Sequence, residues 1–176
     1  RPAVLQTSLY PAGEATPMKH LPKHLRQRWR YLAVDVETWP DADVDEMAFQ
    51  RSLWFAAQNL VGDVGSAEAD LRVVQFDHDD GTGAALIRTR RGAEDLARAA
   101  LACVAGVYDD PVRVTVRGIS GTVRAGEEKY LGGPREGTGQ ESVAFRDGSR
   151  RAVTRDGLLD VEVDGIYVGA TRLDIT

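Results

Sequence analysis

Apolar and polar side chains alternate over residues 31–38, so that Leu32, Val34 and Val36 share one side of the chain. A period of two residues is typical of a strand with one buried face. The segment Trp39-Pro40-Asp41 breaks the alternation. The pattern therefore predicts a half-buried strand at the start of the folded region.

The apolar spacing then changes to that of a helix. The predicted inner stripe consists of Phe49, Leu53, Ala56, Ala57 and Leu60, with Trp54 and Val61 beside it. Asp43 or Asp45 is suited to cap the first turn, where acidic side chains also favour the helix dipole. Gly62 and Gly65 predict the end of this helix.

Residues 71–77 and 83–89 predict a hairpin joined by the turn 79–82. A second helix is predicted over residues 93–105. Its inner face would be formed by Leu96, Ala100, Cys103 and Val107.

Alternation returns in residues 112–117, and residues 122–131 are predicted to form a short third helix. The resulting order is β-α-β-β-α-β followed by a helix. Two helices would cover one face of a single sheet. The sequence thus predicts an α+β fold, a ferredoxin-like split βαβ sandwich.

Three Asp-Gly turn signals punctuate the C-terminal region and predict a small antiparallel β-meander of four strands, packed on the main body. We therefore divide the chain into a flexible tail (1–17), an α/β sandwich with a basic N-terminal arm (18–131), and a linker with the β-meander (132–176). Met18 is either the natural start of the protein or the point where the tail ends.

The chain is acidic, with 27 acidic and 22 basic residues and a formal net charge of −5 at pH 7. The lysines are Lys19, Lys23 and Lys129, and the remaining basic residues are arginines. Many carboxylates with few lysines are typical of a protein from a salt-adapted source, where the Debye length falls to about 3 Å in 1 M salt. At such salt concentrations the repulsion between the acidic chain and RNA is weakened, while short contacts between the planar guanidinium group of arginine and phosphate can still form.

One cysteine, Cys103, lies in an apolar stretch and is predicted to be a small buried hydrophobic residue. A single cysteine cannot form an internal disulfide, which suits a reducing cytoplasm. No apolar run approaches the ~18 residues of a transmembrane helix, and no secretory signal is visible. We expect a cytoplasmic protein without a membrane partner.

The segment 19–30 is acid-free and holds five basic residues: Lys19, Lys23, Arg26, Arg28 and Arg30. Such a basic arm can neutralise phosphates, and Trp29 and Tyr31 could stack on exposed bases. The alternative is a solvated tail that Trp29 anchors to the body.

Outward-facing arginines on the predicted strands could follow a nucleic-acid backbone: Arg88, Arg90, Arg113 and Arg117. The alternative is salt bridges to Asp35 and Glu37, if those strands are neighbours. The stacking of bases on sheet aromatics, as in RNA-recognition motifs, is poorly supported because the predicted central strands offer mainly Tyr31.

The stretch Gly118-Ile119-Ser120-Gly121-Thr122 could form a phosphate-binding nest at a helix start, with the Ser120 and Thr122 hydroxyls beside it. The alternative, which can coexist with it, is that Ser120 or Thr122 caps the third helix. The spacing matches neither a nucleophile elbow nor a Walker loop. No metal-ligand set and no catalytic Ser/His/Asp or paired-carboxylate arrangement is evident, so we expect neither a metal nor a protein active site.

Several pieces in order resemble the archaeal ribonuclease P protein component 2 family, from about Leu21 to Leu131. They are Leu-Pro-x-x-Leu-Arg before Arg30-Tyr31-Leu32-Ala33, then Leu53-Trp54-x-Ala56, the Gly62 and Gly65 break, Gly83-x-x-x-Ile87-Arg88, and Arg117-Gly118-Ile119-Ser120-Gly121-Thr122. Members of this family are basic, whereas this chain is acidic, and the region after Gly132 lies outside the likeness.

The resemblance implies a ferredoxin-like protein subunit that helps a catalytic RNA, with its bound magnesium, remove the 5′ leader from precursor tRNA. It implies pairing with ribonuclease P protein component 3, and with other subunits, as a dimer of heterodimers. We expect Arg124 to join the arm and Ser120 in contacting phosphates, and Trp54 or Phe55 to dock the protein partner. The alternatives are a protein–protein interaction module of split βαβ type and a small phosphate-ester hydrolase.

Overall fold

The computed structural model describes residues 22, 25–133, 138–155 and 157–175. The strands in these ranges are β1 (Trp29–Glu37), β2 (Arg72–Asp79), β3 (Thr82–Arg90), β4 (Gly106–Val107), β5 (Asp110–Pro111), β6 (Arg113–Ser120), β7 (Gly139–Phe145), β8 (Gly148–Arg155), β9 (Leu158–Val163) and β10 (Ile166–Ala170). The helices are α1 (Glu46–Ala69), α2 (Glu94–Ala102) and α3 (Val123–Gly126), and α3 passes directly into a π-helical turn (Glu127–Leu131).

The main sheet has the strand order β2-β3-β1-β6, with antiparallel pairing throughout. Leu32, Val34 and Val36 are fully buried on one face, where α1 and α2 complete the hydrophobic core. The predicted α+β, ferredoxin-like split βαβ sandwich is confirmed. No helix within the described ranges is long and apolar enough to cross a membrane.

The first helix is longer than the glycines predicted. Asp45 caps it, with its Oδ1 accepting from the Ala48 backbone N–H at 2.7 Å, as expected. Gly62 has a non-helical φ of 71°, but the helix resumes and ends only at Asp70, which is left-handed. The predicted break at Gly62 is therefore confirmed as a kink, but the helix does not end there or at Gly65, because burial of Ala69 holds the last turns against the core. Leu60, predicted to lie on the inner stripe of this helix, is 45% exposed.

The second helix is shorter than predicted, and its buried face matches the predicted one only in part. It ends at Ala102, and Val107, predicted to lie on its inner face, is instead buried in the short β4–β5 hairpin. Cys103 is exposed, so the prediction of a buried cysteine is wrong. The helix buries Ala100, as predicted, together with Ala97 and Leu101, and Leu96 packs partly buried against the core, while Cys103 lies at the C-cap and faces solvent.

The C-terminal residues form the predicted meander, with strand order β10-β9-β8-β7. This sheet has a small core of its own around Val143, Phe145, Ala152, Leu159 and Val161. A bridge between Phe145 and Ile175 brings the end of the described chain back to β7.

A charge network, buried at Asp160 and Arg155, joins the C-terminal sheet to the main sheet. Arg113 of β6 donates to both carboxylate oxygens of Asp160, at 2.8 and 2.5 Å, and to Glu37 at 2.6 Å. Arg155 donates to Asp160 at 3.3 Å and to the Thr38 carbonyl. Burial disfavours the charged form of Arg113, but these carboxylates outweigh it and hold its pKa above the ordinary value.

Aromatic contacts support the same junction. Trp39 stacks on Tyr167 with ring centroids 4.6 Å apart, and Arg151 binds Asp41 at 2.5 Å while lying over the Trp39 ring. Burial raises the pKa of Tyr167 to about 12. The Arg151 hydrogen bond lowers the pKa of Asp41. The C-terminal sheet thus fixes the loop between β1 and α1.

Candidate nucleic-acid interface

Antiparallel pairing gathers arginines at one end of the main sheet. The start of β1 lies beside the end of β3, with Trp29 opposite Arg90 and Tyr31 opposite Arg88, and the start of β2 places Arg72 beside Arg88. We call the following residues the basic end of the sheet: Arg28, Arg30, Arg72, Arg88, Arg90 and Arg91. The opposite end of the same strands carries the carboxylates of Glu37, Asp79 and Asp80.

The described part of the basic arm leads into this end. Arg26 and Arg28 are exposed, and the Arg91 backbone N–H donates to the Arg28 carbonyl at 2.9 Å. This bond fixes the arm to the turn after β3. Lys19 and Lys23 lie outside the described residues, so their predicted phosphate contacts stay predictions.

The arginines of β1 and β3 are held by partners that are themselves partly exposed. Arg30 pairs with Glu94 at 3.4 Å, and Arg88 pairs with Asp70 at 3.5 Å. Ion pairs of this kind contribute about 0–1 kcal/mol to the stability of the fold, because water screens the charges and fixing two long side chains costs entropy. The pairs therefore orient the guanidinium groups without binding them so tightly that a phosphate could not compete.

The arginines of β6 have a different environment. Arg113 pairs with Glu37 and Arg117 with Asp35, which confirms the alternative interpretation of these side chains as partners in salt bridges to β1. Arg113 is also tied to Asp160 and lies at the acidic end of the sheet. Their contact with RNA remains a prediction, and Arg113 has the less accessible position.

The stretch from Gly118 to Thr122 is not a helix start along its whole length. Gly118 and Ser120 lie in β6, and Thr122 caps α3 by accepting from the Ala125 N–H at 3.2 Å. The Ser120 hydroxyl donates to the Thr122 carbonyl at 2.9 Å. Capping by Thr122 is confirmed, and phosphate binding here stays a prediction.

Glycine at position 118 has a packing role that the sequence did not suggest. The Tyr130 ring of the π-helical turn packs directly on Gly118, and a Cβ there would overlap the ring. Gly121 lies along the Arg30 guanidinium, which brings this stretch next to the basic arm. Arg124 is exposed and pairs with Glu128 of the π-helical turn at 2.7 Å.

Two arginines of the basic end were missed at the sequence level. Arg91 follows Arg90 directly, and its charge alone could have drawn attention to it. Arg72 has no such signal, because its place beside Arg88 depends on the pairing of β2 with β3.

The residues predicted to dock a protein partner lie on the outer side of α1. Phe55 is 64% exposed, and Met47, about two turns before Trp54, is 73% exposed. Trp54 is partly covered, since its Nε1 donates to the Leu71 carbonyl at 2.8 Å. Arg51 extends between them and donates to the exposed Tyr108 hydroxyl.

Comparison with known proteins identifies relatives of this chain. Ribonuclease P protein component 2 of Haloarcula marismortui is 61% identical over 159 residues, which cover 89% of this chain and 99% of that protein. The protein of the same name from Natronomonas pharaonis is 60% identical over 158 residues, covering 90% and 98%. A chain in the cryo-EM structure of yeast ribonuclease MRP is 18% identical, with a TM-score of 0.42 over 54% of this chain and 75% of that chain.

A family model described as the Rpp14/Pop5 family matches residues 30–131. The C-terminal sheet lies beyond this match. The two haloarchaeal alignments leave 11% and 10% of the chain unmatched. Each unmatched part is shorter than the C-terminal region (residues 132–176), so these relatives share at least part of that region. The family match and the two identities together show that this chain belongs to the Rpp14/Pop5 family.

Proposed function

We propose that this chain, a ribonuclease P protein subunit, supports RNA-catalysed removal of the 5′ leader from precursor tRNA by holding the catalytic RNA at its basic end. The observation that carries the proposal is the separation of charge along the sheet. Phosphate groups would meet Arg28, Arg72 and Arg91, while the acidic end stays in solvent. The hydrolysis itself, with its magnesium, belongs to the RNA.

The arrangement suits positioning of RNA. Guanidinium groups present a planar fork to phosphate and stay charged at any cellular pH. A rigid sheet end holds several of them in fixed register, so that binding stiffens the RNA without a large loss of side-chain entropy. A cytoplasmic location accords with this role.

The decisive measurement is co-purification of the intact chain from its native host, followed by sequencing of the bound RNA. We expect the ribonuclease P RNA to be recovered, together with other protein subunits. Removal of residues 19–30 should reduce RNA binding and precursor-tRNA cleavage in a reconstituted particle. Complexes that survive ribonuclease treatment and contain no RNA would favour the interaction module, and cleavage of small acyl or phosphate esters by the isolated chain would favour the hydrolase.

The outer side of α1 is the proposed docking surface for ribonuclease P protein component 3. Aromatic and arginine side chains dominate the energetics of protein interfaces, and Arg51, Trp54, Phe55 and Tyr108 form such a group here. Two such heterodimers would assemble into the expected dimer of heterodimers.

Replacing Phe55 with aspartate is expected to weaken binding of component 3 by at least tenfold, because a charge would be buried without a partner. Val64→Asp is the matched control, since Val64 is also exposed on α1 but lies beyond the bend at Gly62. Light scattering of the mixed subunits gives the assembly state. Equal assembly of Phe55→Asp and Val64→Asp would place the partner elsewhere.

A further inference from the structure

The first strand begins two residues earlier than its hydrophobic pattern predicts, and this changes what the sheet displays. Trp29 belongs to β1, so Trp29 and Tyr31 lie two residues apart and share one face. Leu32 and Val34, which alternate with Tyr31 along the strand, belong to the main core and face α1 and α2. Trp29 and Tyr31 therefore lie on the opposite face of the sheet. Two adjacent aromatic rings therefore lie on the central strand at the basic end.

Arginines from the neighbouring strand complete this group. Arg88 and Arg90 of β3 lie directly opposite Tyr31 and Trp29. The Arg88 guanidinium lies over the Trp29 ring, 4.0 Å from its centroid, and also pairs with Asp70 at 3.5 Å. The Nε atoms of Arg88 and Arg90 are buried without a hydrogen-bond partner. The indole is thus supported in a fixed orientation while remaining partly exposed.

The rest of this face is closed. Ala33, Ala84 and Leu86 are buried on it, with Leu86 packed against Gly126 of α3 and the Tyr130 ring packed on Gly118. β6 ends opposite Tyr31, so among the described residues no strand flanks Trp29 on that side. The exposed aromatic surface is therefore short, and its two rings match one or two bases.

We propose that Trp29 and Tyr31 form a stacking platform for one or two unpaired nucleotides of RNA, with Arg88 and Arg90 beside the phosphates that join them. The inference rests on the proposed function, since it specifies which part of the RNA the basic end holds. Stacking on an aromatic ring stabilises single-stranded RNA by about 1–3 kcal/mol per base and tolerates any base. The platform selects an unpaired segment because a base inside a duplex is stacked between its neighbours and has no free face to offer.

The test compares Trp29→Leu with Trp29→Phe in the full-length chain, using a short single-stranded oligoribonucleotide and a blunt duplex with the same number of phosphates. We expect Trp29→Leu to bind the single strand about tenfold more weakly, and Trp29→Phe to retain most of the affinity. Neither variant should change binding of the duplex. Trp54→Leu is the control, because Trp54 lies on the outer side of α1 and is partly exposed as well.

The salt dependence separates stacking from charge. In Trp29→Leu the slope of log K against log salt should stay that of the unmodified chain, whereas Arg90→Gln should reduce the slope by about 0.7. Tryptophan fluorescence in a Trp54→Phe background provides a direct signal, since Trp39 is only 5% exposed and Trp29 should account for quenching by the oligonucleotide.

Unchanged affinity of Trp29→Leu for the single strand, or an equal loss for single strand and duplex, would overturn the platform. The platform would also be overturned if the unmodified chain did not bind the oligonucleotide but still co-purified with ribonuclease P RNA. The proposed function would then remain intact. Absence of RNA from the co-purified complex would reject the proposed function itself.

Discussion

Replacing Asp160 with asparagine is expected to reduce the free energy of unfolding by about 3 kcal/mol, within the range of about 3–5 kcal/mol seen when one partner of a buried ion pair is removed. The Asp160 side chain is 2% exposed and accepts hydrogen bonds from Arg113 and Arg155. Its neutralisation leaves the Arg155 guanidinium, itself 4% exposed, without a carboxylate. Urea denaturation in concentrated salt measures the change.

The variant should also loosen the C-terminal sheet before the main sheet unfolds, because the Arg155 contact with the Thr38 carbonyl depends on the same guanidinium. The near-ultraviolet circular dichroism of the stacked Trp39 and Tyr167 rings reports this step. Added salt should not rescue the variant, since screening acts mainly on exposed charges. The exposed pair of Arg117 and Asp35 should, by contrast, contribute little in concentrated salt.

Two further variants make this prediction specific. Asp164→Asn removes an exposed carboxylate in the β9–β10 turn, and asparagine tolerates its left-handed φ of 52°, so its stability should stay close to that of the unmodified chain. The double variant Arg155→Met with Asp160→Leu should be more stable than Asp160→Asn, because no unpaired charge then remains at Arg155. Similar stabilities for Asp160→Asn and Asp164→Asn would contradict the assigned role of the network.

Neutralising three exposed arginines of the basic end is expected to lower affinity for ribonuclease P RNA by about 100-fold at the lowest salt in which the chain stays folded. The variant is Arg28→Gln, Arg72→Gln and Arg91→Gln, all at exposed positions. Each lost phosphate contact means that fewer counterions are released from the RNA on binding. The slope of log K against log salt should therefore decrease by about 2.

The matched control is Arg146→Gln, Arg150→Gln and Arg172→Gln, which changes the net charge equally at exposed positions of the C-terminal sheet. Its affinity should stay within about twofold of the unmodified chain, since only long-range repulsion changes and salt screens it. Filter binding over a salt series gives both quantities. Equal losses in the two triple variants would mean that net charge, and not the basic end, governs RNA binding.

The hydrophobic pattern alone determined the fold class of this chain. The period-two stretch around Leu32, Val34 and Val36, and the helical stripe around Phe49 and Leu53, are local signals, and their order leaves few ways to pack two helices on one sheet. The meander was predictable for the same reason, because each Asp-Gly turn lies between short alternating stretches. Asp45 as the cap of α1 also follows from local chemistry.

Only the tertiary structure decided where the charges lie. Arg72 and Arg88 meet because β2 pairs with β3, and Arg113 meets Asp160 across 47 positions of sequence. Cys103 shows the same limit, because α2 ends at Ala102 and buries Ala97, Ala100 and Leu101, which leaves the cysteine at its C-cap in solvent. Strand and helix periodicity depend on near neighbours along the chain, whereas ion pairs, stacking surfaces and the choice of buried face depend on contacts between distant segments, which no single stretch of sequence encodes.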